Sequence, residues 1–218
     1  RYTWSLESNS YATVNSTSGV VTVNSLPEND VMLTLTVTAT VTGGTPAAPA
    51  GTTLTASKEI TIFVLQEISS LSEITDPDGN YRLTGDATGT PGVDTFRGTL
   101  DGGYYTISGL SAPLFTTLNG GTVKNVRFKD VSISGGETVG AVCGTATGSA
   151  KIYNCGVLSG SVSGSTNVGG LVGLIASGSN VRVVNCYNYA SVSGGDYAAG
   201  IVGRNQGTIS GTTTVDAT

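Results

Sequence analysis

Val168-Gly169-Gly170-Leu171-Val172-Gly173 is the stretch that decides how this chain folds. Val139-Gly140-Ala141-Val142-Cys143-Gly144 precedes it and Ala198-Ala199-Gly200-Ile201-Val202-Gly203 follows. The closing glycines fall at 144, 173 and 203, spacings of 29 and 30 residues. Two other series keep the same period. One is Lys124-Asn125-Val126, Tyr153-Asn154-Cys155 and Val184-Asn185-Cys186. The other is Val131-Ser132-Ile133-Ser134-Gly135, Ser161-Val162-Ser163-Gly164 and Ser191-Val192-Ser193-Gly194. Three markers in one phase identify an internal repeat.

Glycine and β-branched content exclude a helical repeat, and no leucine skeleton supports a leucine-rich one. Short strands separated by Gly, Ser and Asn turns predict a parallel β-helix with two or three strands per coil. No such coil can bury its apolar face alone, and stacking on its neighbours completes the core. Val142, Val172 and Val202 are expected to form an inward ladder. Asn125, Asn154 and Asn185 are expected to stack at one corner, their amides bonding to each other and to turn backbone. Cys155 and Cys186 occupy equivalent places in register with Val126 and are expected to be buried, reduced thiols.

Working toward the N-terminus, residues 65–78 read as a junction. Ser70-Leu71-Ser72-Glu73 fits a capping box, and Ile68, Leu71 and Ile74 lie three apart, so a capping helix of two turns is predicted. Residues 1–64 have a different grammar. From Val31 to Thr42 apolar residues hold the odd positions and threonine nearly all the even ones, as in a strand with one wet face. Gly43 to Gly51 is a Gly/Pro/Ala loop, and the next strand carries Leu54, Ala56, Ile60, Ile62 and Val64 on one parity. The two strands should form a long hairpin within a β-sandwich, with Trp4 in its core. The division expected is 1–64, 65–78 and 79–218.

Composition narrows the chemistry. The 218 residues carry a net charge of −5 and no histidine, which removes the commonest general base and zinc ligand. Three cysteines without a CxxC pair make neither a disulfide framework nor a metal site. Ten basic residues scattered singly along the sequence argue against a nucleic-acid partner. No apolar run is long enough for a membrane helix, and no signal segment begins the chain, which reads as an excerpt of a longer precursor.

Two resemblances add to this. Thr3-Trp4-Ser5, Tyr11-Ala12-Thr13-Val14 and Gly19-Val20-Val21-Thr22-Val23 resemble bacterial Ig-like surface domains, with the first strand missing. Gly169-Gly170-Leu171-Val172-Gly173 resembles the core of the GLUG motif, with degenerate copies at 140–144 and 199–203. Gly79 to Asp86 and Phe96 to Leu110 are similar to segments that accompany that motif. The resemblance implies a right-handed parallel β-helix on a secreted or cell-surface protein of Bacteroidetes type.

The fold class expected is therefore all-β, an Ig-like sandwich followed by a short right-handed parallel β-helix with a helical cap between them. The function expected is a non-enzymatic extracellular adhesion module, held at an outer membrane through a precursor segment and presenting a rigid face to a glycan or a host protein. Alternatives are a carbohydrate-active β-helix enzyme, or a structural stalk of a larger surface protein or peptidase. No catalytic residue, metal or cofactor is assigned, and a monomer is expected. The acids do not recur at the repeat period, and Asp76-Pro77-Asp78-Gly79-Asn80 lacks the spacing of a calcium loop and reads as a turn. Tyr187, Tyr189 and Tyr197 are the candidates for ligand binding, since tyrosine faces stack on sugars, although inward tyrosine is ordinary in such coils. Tyr187 and Tyr189 share a parity on one strand.

Overall fold

The computed structural model describes residues 2–25, 31–40, 50–62 and 64–210. Its fold is nearly all-β. Contacts divide the chain into two units, Arg1–Val64 and Leu65–Thr218.

In the first unit Val31–Thr40 is the middle strand of an antiparallel sheet, between Tyr2–Leu6 and Thr53–Ile62. The hairpin register runs from Val31 opposite Ile62 to Thr40 opposite Thr53. Ala12–Val14 and Val21–Val23 form a separate antiparallel ribbon. Ala12, Leu33 and Ile62 make a small core, with Leu6, Tyr11, Val21 and Ile60 against it. Trp4 is half-buried and packs over Gly19, outside that cluster, rather than at its centre. The expected loop at 43–51, apart from its last two residues, lies outside the described residues.

The second unit is a stack of coils, and a full coil has five short strands where two or three were expected. One turn runs through Cys143–Thr147, Lys151–Tyr153, Gly156–Val157, Gly160–Ser163 and Asn167–Gly169 before Val172–Ile175 begins the next. Each strand pairs in parallel with its counterpart one repeat away. The longest wall among the described residues has seven strands, from Leu65–Ile68 through Thr122–Lys124 and Lys151–Tyr153 to Thr208–Ile209. Beside it stands a wall of Thr106–Ser108, Arg127–Lys129, Gly156–Val157 and Tyr187–Asn188.

Alternation sets the inside of the coil. In Val131–Ser134 the two aliphatic residues are buried and the two serines exposed. The interior starts with aromatic bulk, where Phe96 stacks on Phe115 at 4.4 Å, and continues in Val, Ile, Cys and Ala. Large side chains early and small ones later let one continuous core fill every coil. The inward column through Val172 and Val202 contains Cys143, not Val142 as the sequence reading had it. Cys143, Val172 and Val202 each stand one residue before a closing glycine, so the alignment of the repeats on those glycines holds and only the place given to Val142 in the ladder changes.

Residues 65–78 also differ from expectation. Leu65–Ile68 is the first strand of the stack, parallel to Asn80–Leu83. The capping box is present, but it caps a single 3-10 turn, Leu71–Glu73, instead of two helical turns. Leu71 and Ile74 drop into the core on either side of this turn, and the Asp76-Pro77 turn follows at once, leaving no length for a helix. The Glu73 carboxylate accepts the N–H groups of Ser69 and Ser70, which hold its pKa below the ordinary value.

Candidate functional site

The corner between the two neighbouring walls carries the asparagine series, and geometry explains the choice of residue. Asn125, Asn154 and Asn185 have φ of 56°, 52° and 53°. This left-handed conformation is costly for most side chains, while asparagine tolerates it. Their amides form a one-way column. Asn185 Nδ2 donates to Asn154 Oδ1 at 3.3 Å, Asn154 Nδ2 to Asn125 Oδ1 at 2.9 Å, and Asn125 Nδ2 to Asp101 Oδ1 at 3.0 Å.

Asp101 closes the column as an acceptor. Burial works to raise its pKa, but donation from Asn125, the Gly103 amide and the Lys124 ammonium, 3.3 Å from Oδ2, together hold it below the ordinary carboxylate value. Behind the corner Val126, Cys155 and Cys186 are buried, and all three cysteines of the chain are free. Each corner thiol donates to carbonyls of its own and the preceding coil. Burial pushes the Cys155 thiol well up, and that of Cys143 up to about 12.

A cleft of about 200 Å³ opens on the outside of this corner, lined by Tyr104, Arg127, Asn154, Asn185 and Tyr187. Thr106, Arg127, Gly156 and Tyr187 are in register on successive coils. Tyr187 lies over Gly156, where any Cβ would collide with its ring, so glycine at 156 is what lets the tyrosine fold back across a coil. Tyr104 comes from a wider corner. Gly102 to Tyr105 separate Asp101 from Thr106, where later coils use only two residues. Arg127 holds the Tyr104 carbonyl through Nη1 at 3.0 Å, with its guanidinium 5.8 Å from the Tyr104 ring centroid.

The expected recognition residues thus separate. Tyr187 lines the cleft, and Tyr189 is exposed beside it, ring centroids 5.3 Å apart. Tyr197 lies on a different wall, paired with Asn167, and stacks under Arg204 at 4.5 Å. Tyr104 and Arg127 escaped the sequence reading because neither belongs to a repeating series.

Basic residues that look scattered in sequence gather here. Arg82, Lys124, Lys151 and Arg182 stand on the long wall and Arg127 and Lys129 on its neighbour, six of the ten in the chain. Arg182 lies over the Tyr153 ring, 5.9 Å from its centroid. Among the described residues no three His, Cys, Asp or Glu side chains are grouped to hold a metal ion. In the Asp76–Asn80 turn Asp76 Oδ1 accepts the Asp78 amide, and Asp78 takes both Nε and Nη2 of Arg97 at 2.7 Å. That guanidinium holds the Asp78 carboxyl below its usual pKa.

Residues 90–159, which run through the early coils, match the model of a family described as the M26 IgA1-specific metallo-endopeptidase N-terminal region. The match is to the N-terminal region of a peptidase family. An immunoglobulin A1 protease of Streptococcus sanguinis is 43% identical over 75 residues, 34% of this chain and 4% of that protein. Halomucin of Haloquadratum walsbyi is 32% identical over 143 residues, 49% of this chain and 2% of its own length. A solved structure titled IgA1 Protease superposes with a TM-score of 0.52 at 19% identity, covering 91% of this chain and 17% of that one. The chain therefore spans only a few per cent of the curated relatives it matches.

These likenesses correct the sequence reading. The kinship with GLUG-motif surface proteins of Bacteroidetes is overturned by the peptidase-family match and the streptococcal protease relatives. The adhesion module falls with it, and so does the placing of the protein outside the enzymes, since the family model and the streptococcal relatives are those of a peptidase. Of the alternatives, the structural stalk of a peptidase fits these findings. No helix among the described residues is long and apolar enough to cross a membrane, and nothing here supports anchoring at an outer membrane.

Proposed function

We propose that this chain is a stacked N-terminal region of a larger secreted peptidase related to the immunoglobulin A1 metallo-endopeptidases, standing outside that enzyme's catalytic domain. The observation that carries the reading is the family match over residues 90–159, which falls on coils built from stacking residues. Zinc peptidases of the His-Glu-x-x-His kind need two histidines and a glutamate on one helix; this sequence contains no histidine, so the metal centre belongs to another part of the protein. The likeness to halomucin, which is not named as a peptidase, supports an architectural task for the shared sequence.

In finer detail, we read the second unit as a right-handed parallel β-helix and the first as an Ig-like sandwich. Parallel pairing at one repeat period supports the former, and the alternation of Val31–Thr40 supports the latter. A coil stack of this kind is stiff because every strand is pinned by both neighbours, so it suits a spacer that sets the catalytic domain's distance from its substrate.

The test compares the 218-residue chain with the longer protein that carries it, each incubated with immunoglobulin A1. The expected result is cleavage by the longer protein, abolished by chelation, and none by the chain alone. Cleavage by the isolated chain, or an inactive longer protein, overturns the reading.

A further inference from the structure

We propose that the cleft at the asparagine corner binds a carboxylated sugar, with Arg127 taking the carboxylate and Tyr187 and Tyr104 flanking the ring. The proposal stands independently of the peptidase reading, because it uses only the geometry of this corner.

The guanidinium supplies the first argument. Arg127 commits Nη1 to the Tyr104 carbonyl, which fixes the side chain at the cleft wall. Its Nε and Nη2 make no hydrogen bond within the described residues. That pair is the edge with which arginine grips a carboxylate through two parallel bonds. The same chain shows the grip in use elsewhere, where Arg97 presents Nε and Nη2 to the two oxygens of Asp78.

The field supplies the second. On a chain of net charge −5, six cations and only two acids, Glu67 and Asp101, stand on the two walls that meet at this corner. The acid that lines the corner, Asp101, is already occupied by Asn125, Gly103 and Lys124. Such a local reversal of sign draws an anion toward the cleft.

Shape supplies the third. Tyr187 is laid across Gly156, so its ring forms a wall, and Tyr104, 54% exposed, stands by Arg127. Aromatic faces suit the C–H faces of a pyranose, and the edges of Asn154 and Asn185 offer amide groups to its hydroxyls. The volume, about 200 Å³, is that of one ring, below the range of about 300–1,000 Å³ usual for larger ligands. A bare phosphate or sulfate would leave the tyrosines without a role, which is why a sugar acid is favoured.

Ligand-observed NMR on the 218-residue chain tests this. The probes are glucuronic acid and N-acetylneuraminic acid, their methyl esters, acetate and inorganic phosphate. The expected result is saturation transfer to at least one sugar acid, with its ester bound at least about tenfold more weakly, as loss of a charge-assisted pair predicts. Arg127→Gln and Tyr187→Ala should each weaken binding by a similar factor. Arg127→Lys, which keeps the charge but not the fork, should also bind more weakly than the parent. Arg97→Gln should leave binding unchanged. Binding of neither acid, equal binding of acid and ester, displacement by phosphate or acetate as effective as by the sugar acid, or a parental affinity in Arg127→Lys each overturns the proposal. Circular dichroism of every variant confirms that the coils are intact.

Discussion

Replacing Asn154 in the middle of the amide column should reverse the ordinary ranking of alanine and glycine. In most strands glycine is the worse residue, because it loses more backbone freedom on folding. Asn154 instead has φ of 52°, where a Cβ is unwelcome. Asn154→Ala loses a side-chain bond of 2.9 Å to Asn125 and one of 3.3 Å from Asn185. The shorter bond contributes about 1 kcal/mol and the longer one somewhat less. Alanine also meets the left-handed conformation without the local bonding that helps asparagine, at about 1 kcal/mol more. The sum is a destabilisation of about 3 kcal/mol. Asn154→Gly loses the same bonds without the steric term and should cost about 2 kcal/mol. Urea melts of both variants, followed by far-ultraviolet circular dichroism, read the difference. Fluorescence of Trp4, the one tryptophan of the chain, reports on the first unit and separates its transition from that of the coils. A glycine variant no more stable than the alanine variant would refute the conformational argument. Losses below about 0.5 kcal/mol in both, the size of an ordinary surface change, would refute the column as a source of stability.

Two further outcomes follow from the charges and thiols at the same corner. Asp101 is held below the ordinary carboxylate pKa in the fold, so its contribution is present above the unfolded value of about 3.9 and is lost as pH falls through the lower folded value. The parent should therefore lose more thermal stability between about pH 5 and 2 than Asp101→Asn does, and parallel curves in the two proteins would contradict this. Cys143 and Cys155 should resist a disulfide reagent such as Ellman's at about pH 8 in the folded protein, since burial pushes Cys143 up to about 12 and Cys155 well up. In urea three thiols should titrate at once; prompt reaction of Cys143 or Cys155 in the fold, or fewer than three after unfolding, would contradict the geometry.

The repeat was legible because its markers sit where stacking is least forgiving. An asparagine every 29 or 31 residues marks a left-handed corner that few residues tolerate, and the glycines mark close approaches of backbone. The number of strands was not legible, since Gly156–Val157 and Thr138–Val139 are two-residue strands that show no alternation to read. Residue type alone points to Val142 as the partner of Val172 and Val202, whereas the backbone register pairs whatever stands one residue before the glycine, which is Cys143. The cleft was hidden for a different reason. Tyr104 sits in two extra residues of one corner, Arg127 takes a position occupied by Thr106 and Gly156 in adjacent coils, and Lys151 and Arg182 come beside Lys124 and Arg127 only when coils about 30 residues long are stacked. A period exposes what coils share, while this site is assembled from their differences.

The amide column has one more consequence. Asp101 can only accept, so Asn125 must turn its nitrogen toward it, and each later asparagine must follow the same sense. One carboxylate thus dictates the orientation of side chains in three successive coils, as the first tile in a row dictates the direction of all that fall after it. Asn185 inherits that direction and turns its oxygen away from Asn154. Any coil laid on it must therefore greet it with a donor: an asparagine extends the row, and an aspartate ends it in repulsion.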